Sequence, residues 1–106
     1  MRRRKLPPVS EEMRRRTGLL VEQMRFWPEV QIGKMFGMVS VYRSARIFAL
    51  LPATRAMERP NAIAVKWNSL TGKPTDEWQS LEVENDARLG EAMRWLEEGY
   101  RSAKKL

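Results

Sequence analysis

The apolar residues of this chain change period twice. Over residues 10–27 they recur at helical spacing, from Glu29 they alternate, and from Asn85 the helical spacing returns. A helical stripe and an alternating strand cannot occupy each other's geometry, so the chain must place a sheet between two helical segments. In the first segment Ser10 is a good N-cap, and Glu11 and Glu12 favour the helix dipole. Met13, Leu20, Met24 and Trp27 form the apolar stripe, with Leu19, Gln23 and Phe26 on its flank. Pro28 predicts a helix end at about Phe26, and Arg14, Arg15 and Arg16 are expected on a solvated face.

The alternating region divides into strands. Val30 and Ile32 alternate with Gln31 in a short strand ending near Gly33-Lys34, and Met38, Ser40 and Tyr42 then oppose Val39 and Val41. Ser44-Ala45 is a tight connection into 46–51, stopped by Pro52. Residues 53–60 are expected to form a polar loop with room for one helical turn, and 62–67 a fourth strand. Residues 68–75, carrying Gly72 and Pro74, read as a loop. A weaker strand at 78–83 sets Leu81 and Val83 against Glu82 and Glu84. Asn85 or Asp86 is the expected cap of a final helix with the stripe Leu89, Ala92, Met93, Leu96, Tyr100 and Ala103. Arg101, Lys104 and Lys105 fall in its last turns, where they complement the dipole. The fold class that follows is α+β: one two-layer domain over 10–106, with about five mostly antiparallel strands and both helices on one face. A basic tail, 1–9, precedes it, broken by Pro7-Pro8.

Composition narrows the chemistry. The 106 residues include no Cys and no His, which excludes disulfides and thiol nucleophiles and removes the commonest neutral-pH base and zinc ligand. No stretch approaches the roughly 18 apolar residues of a membrane span. Arg2-Arg3-Arg4-Lys5 resembles the charged start of a signal peptide but leads into Leu6-Pro7-Pro8 with no apolar core, so a cytoplasmic location without membrane contact is expected. The net charge is +7, unevenly spread: nine basic and four acidic residues in 1–34, six and one in 35–74, five and eight in 75–106. Such a field attracts polyanions at low salt, and equally describes a soluble surface with a basic tail.

Four groups of residues invite a functional reading. Gly33 and Gly37 bracket Lys34-Met35-Phe36, but a phosphate-binding loop needs a longer pattern leading into a helix. A tight turn or bulge fits better, and Phe36 is then a core plug or an exposed aromatic, the core being the expectation. Arg43, Arg46, Arg55, Arg59, Lys66 and Lys73 interleave with Tyr42, Trp67 and Trp78. Charge that tracks phosphate beside rings that stack on bases makes a single-stranded nucleic-acid platform; a packed edge with solvated arginines and a protein interface are the competing accounts. Asp76-Glu77 and Glu82/Glu84 sit where nothing suggests desolvation, and Ser10, Ser40, Ser69 and Ser80 lack a base partner at motif spacing, so no catalytic, metal or cofactor residues are assigned. Of the seven Met residues, Met13, Met24 and Met93 fall on helix stripes, and Met35, Met38 and Met57 suit a groove between sheet and loop.

The same order of elements, with Met35-Phe36-Gly37, Phe48-Ala49, Val65-Lys66 and Trp95-Leu96, resembles the N-terminal domain of TfoX-type competence regulators and the related YjbR-like small α/β proteins. The resemblance spans roughly residues 10–105. Members of the TfoX group usually follow Met-Phe-Gly with a second Gly where this chain has Met38, and the Tyr-and-Pro loop often found after the Lys-ending strand is not evident near 68–74. What the resemblance implies is a small regulatory domain with a nucleic-acid or protein partner and no catalytic site to carry over. The expectation is therefore a non-enzymatic binding or regulatory module. Sequence-independent nucleic-acid binding through Tyr42, Arg43, Arg46, Arg55, Arg59, Lys66, Trp67 and the Arg2–Lys5 tail is one alternative, and an interaction or dimerisation domain using a strand edge, as monomer or weak homodimer, is another.

Overall fold

The computed structural model describes residues 8–57 and 59–103. Helix α1 (Glu11–Met24) starts where the sequence predicts, with the Ser10 hydroxyl accepting from the Met13 amide at 3.1 Å. It ends at Met24, two residues before the expected Phe26, and a turn carries the chain through Pro28 into Glu29, which adopts a left-handed φ of 66°. Strands β1 (Val30–Met35), β2 (Met38–Arg43), β3 (Arg46–Pro52), β4 (Ala62–Asn68) and β5 (Lys73–Glu82) follow as an antiparallel meander in the order β1-β2-β3-β4-β5. A single 3-10 turn (Asp86–Arg88) leads into α2 (Leu89–Ser102). The expected tail lies outside the described residues through Pro7; Pro8 forms an isolated antiparallel bridge to Arg55, and Val9 packs against the core.

Both helices cover one face of the sheet. Met13, Leu20 and Met24 from α1 and Ala92 and Leu96 from α2 meet Val41, Phe48, Leu51, Ile63, Val65, Leu81 and Val83. Each fully buried Met, Leu or Phe here stabilises the fold by about 1.5–3 kcal/mol. Gly99 lets α2 sit close to the sheet, since a Cβ there would lie 2.5 Å from Val65 Cγ1 and 3.2 Å from Phe48 Cδ1. Polar ties fix the layers: the Thr17 hydroxyl donates to the Pro52 carbonyl at 2.6 Å, and the Tyr100 hydroxyl to the Pro28 carbonyl at 2.7 Å.

Several expectations are corrected. Arg16 does not stand on a solvated face: it is 8% exposed, and its Nε donates to Asp86 at 2.9 Å while Arg15 grips the same carboxylate at 2.7 and 2.8 Å. Asp86 therefore ties the two helical segments together, and neither it nor Asn85 makes a side-chain cap. Segment 53–60 holds no helical turn among its described residues. Strand β5 begins at Lys73, five residues before the expected Trp78, because Pro74 occupies an edge strand where a missing N–H costs little. Phe36 is 77% exposed, not in the core. Its φ of 53° with 80° at Gly37 makes a two-residue hairpin turn of the I′ type, closed by the Met35–Met38 pair. The β2–β3 connection repeats this geometry with no glycine, Ser44 and Ala45 having φ of 49° and 72°.

Candidate functional site

Alternation along the strands separates the residues that the sequence suggested as one surface. Tyr42 and Lys66 belong to the face without helices. Arg43 and Trp67, one residue further on in each strand, belong to the helix side. There Arg43 is 14% exposed in its side chain; its Nε donates to Glu29 at 3.1 Å and its Nη1 to the Tyr100 carbonyl at 3.1 Å. Its guanidinium also lies 4.0 Å from the centroid of the Tyr100 ring, so this cation is engaged within the fold. Trp67 packs edge-on to Trp95 of α2, 5.7 Å between centroids, and its buried indole N–H has no hydrogen-bond partner among the described residues. Arg59 pairs with Glu82 at 3.1 Å, and exposed Arg55 lies against the β1–β2 turn, whose Gly37 carbonyl accepts from the Thr54 and Arg55 amides. Arg46 is exposed at the start of β3.

The helix-free face has a character of its own. Met38, Leu50 and Ala64 are buried on it, and half-buried Met35, Ile47, Met57 and Trp78 pack around them. Its polar centre is Ser40, fully buried, with a hydroxyl that finds no partner among the described residues. Gly33 stands directly opposite Ser40, and a Cβ at Gly33 would lie 2.9 Å from the Ser40 hydroxyl. Near one end of this face Lys66 Nζ sits 5.1 Å from the centre of the Trp78 ring. A wide bulge produces that contact: Val65 pairs with Gln79 and Trp67 with Pro74, so Thr75–Trp78 of β5 all stand opposite Lys66. Trp78, one of the rings expected beside the basic residues, reaches this face at the bulge, and Met57, expected in a groove between sheet and loop, reaches it from the 53–57 segment.

Strands β3 and β4 are paired only through Ala49–Val65 and Leu50–Ala64. Beyond those pairs they diverge, and a cleft of about 450 Å³ opens at their splayed ends. Arg46 and Lys66 line it with Thr75, Asp76 and Ser102, over a floor that includes Phe48 and Ala103.

Among the described residues two groups titrate away from their ordinary values, and both belong to the tie between α1 and the 3-10 turn. Hydrogen bonds from Arg16 and then Arg15 hold the Asp86 carboxyl below the usual aspartate range, and the same carboxylate with Glu12 raises Arg15. No cluster of three or more acidic side chains converges among the described residues, and no helix there is long and apolar enough to cross a membrane.

Compared with family models, curated proteins and solved structures, the chain finds no match. The motifs of the TfoX/YjbR resemblance fall in separate elements: Met35-Phe36-Gly37 at the β1–β2 turn, Phe48-Ala49 in β3, Val65-Lys66 in β4 and Trp95-Leu96 in α2.

Proposed function

We propose that this protein is a non-enzymatic, cytoplasmic binding module that holds single-stranded nucleic acid on the helix-free face of its sheet. The observation that carries this reading is the run Tyr42, Ile47, Lys66 and Trp78 across that face, two rings and a cation set among apolar side chains. Rings offer stacking surfaces to bases of any sequence, and Lys66 with Arg46 at the cleft mouth provides phosphate contacts. At the other end the Pro8–Arg55 bridge holds the chain three residues after the basic stretch Arg2–Lys5, which lies outside the described residues. Such a module suits the regulatory role that the TfoX/YjbR resemblance implies.

The test is fluorescence anisotropy of a labelled oligonucleotide titrated with protein over a range of salt. Binding is expected at low salt, and its logarithm should fall linearly with the logarithm of salt concentration. Lys66→Ala together with Arg46→Ala should lower that slope, while Trp78→Ala should weaken binding about 5- to 150-fold without changing it, a stacking loss of about 1–3 kcal/mol. Absence of binding to single-stranded DNA and RNA at low salt overturns the reading. A second reading, a protein partner at the same face, is favoured by Met35, Met38 and Met57, whose flexible side chains suit adaptable apolar contacts. It predicts capture that Met57→Lys abolishes and that salt leaves largely unchanged.

A further inference from the structure

The two edges of the sheet are treated differently. β5 is guarded along its length: Pro74 lacks a donor, the Thr75–Trp78 bulge distorts the strand, and Asp76 and Glu77 place charge on it. β1 has only one of these devices, the charge of Lys34. Val30–Met35 is regular, carries no proline or bulge, and has Lys34 as its one charged side chain. Because the Met35–Met38 pair closes a two-residue hairpin, hydrogen-bonded pairs recur at Gly33–Ser40 and Gln31–Tyr42. The N–H and C=O groups of Ile32 and Lys34 therefore point away from β2, and they find no partner among the described residues. The Val30 amide, which points the same way, is already bonded to the Trp27 carbonyl at 3.2 Å.

Two large exposed aromatic side chains flank β1 in the sequence. Phe36, at the turn beyond β1, is 77% exposed, and Phe26, four residues before β1, is 81% exposed. Phe36 also holds a left-handed φ of 53°, where a bulky residue is disfavoured and Asn or Gly is the common choice. Neither the conformation nor the exposure of Phe36 serves the folded chain.

We infer that β1 is a self-association edge, pairing antiparallel with β1 of a second copy of this chain about a two-fold axis at Gly33. The inference stands apart from nucleic-acid binding and concerns a different surface. In this register Ile32 exchanges both backbone bonds with the partner's Lys34, and Lys34 with the partner's Ile32. All four unpaired groups of each copy are thereby satisfied. The alternative axis at Ile32 would call on the Val30 amide, which is occupied. Gly33 faces the partner's Gly33 in the closely spaced type of pair, where the lack of side chains allows the approach. Phe36 comes opposite the partner's Val30, at the end of the edge. The same event that satisfies the backbone thus covers the exposed, strained aromatic. No like charges stand directly opposite, since Lys34 faces an isoleucine and Gln31 faces the partner's Met35.

Sedimentation velocity of the full chain over a wide concentration range provides the test. The wild-type mass should rise from monomer toward dimer. Lys34→Pro removes an outward N–H that the β1–β2 ladder does not use, and should leave a monomer at every concentration with an unchanged circular dichroism spectrum. Phe36→Asn should weaken the dimer while raising the unfolding temperature, a pairing of effects that damage to the fold cannot give. Because the chain has no Cys, a nitroxide on Gln31→Cys labels one site per copy, and in the dimer the two labelled backbones should lie about 15 Å apart. A wild type that stays monomeric throughout, a dimer unaffected by Lys34→Pro, or a dimer whose labels lie far beyond that separation overturns the proposal.

Discussion

Ala45 carries a side chain at φ 72° in a two-residue turn, a conformation that costs an L-residue about 1–2 kcal/mol. Ala45→Gly should therefore stabilise the protein by about 1 kcal/mol, read as a higher denaturant midpoint with an unchanged slope. Asp86 gives a prediction of a different kind. Its carboxyl is held below the ordinary range by Arg16 and Arg15, so its contribution is present above the unfolded-state value, about 3.9, and is lost as pH falls through the lower folded value. Asp86→Asn should lower the melting temperature at neutral pH, and the difference from wild type should shrink as both are titrated below pH 4. A difference that persists unchanged in acid would show that the carboxylate's charge is not what matters. At this scale the sequence was only partly legible. Ser10 as a cap can be read from its position, whereas Arg16 cannot be distinguished from Arg14 and Arg15 until Asp86 is brought across from 70 residues away. Apolarity predicts burial for Phe36, and only the turn geometry turns it outward.

At the scale of elements, periodicity is a sound guide wherever one face is buried. α1, β2, β3, β4 and α2 fall where their stripes place them, and Leu81 and Val83 face the core as alternation requires. The first half of β5 is hidden in the sequence, since Gly72 marks a turn and Pro74, a loop residue by composition, is a strand residue by position only because β5 is an edge. The candidate site shows the same limit. Tyr42 and Arg43, or Lys66 and Trp67, are neighbours in sequence and so lie on opposite faces, a consequence of the two-residue period that a list of basic and aromatic residues obscures. Element packing supplies its own prediction. Gly99→Ala drives a Cβ against Val65 and Phe48, both confined in the core, so α2 must lift from the sheet. The expected loss is about 1–3 kcal/mol, seen in chemical denaturation; an increase in stability would mean that α2 has room to spare.

For the molecule as a whole, the sheet is two ladders joined by a narrow seam. β1, β2 and β3 form one, β4 and β5 the other, and α2 lies across the junction with side chains packed on β3, β4 and β5. Amide exchange should follow this division. The Ile47 amide, which the two-residue β2–β3 turn points toward β4 beyond the paired centre of the seam, should exchange faster than those of Val39–Val41, and equal protection would argue against a weak junction. The seam also coincides with the connection between β3 and β4, so one cut in that connection yields two pieces with different contents. The first carries α1 and a complete three-stranded meander; the second carries a hairpin and α2. With few backbone bonds joining them, the pieces would recognise each other through the apolar fit of Phe48, Ile63, Val65 and Leu96 and through the side-chain ties of Arg15 and Arg16 to Asp86, of Arg43 to the Tyr100 carbonyl and of Tyr100 to the Pro28 carbonyl. This makes the chain a natural candidate for a split protein, whose halves reassemble without a covalent link and report on whatever brings them together.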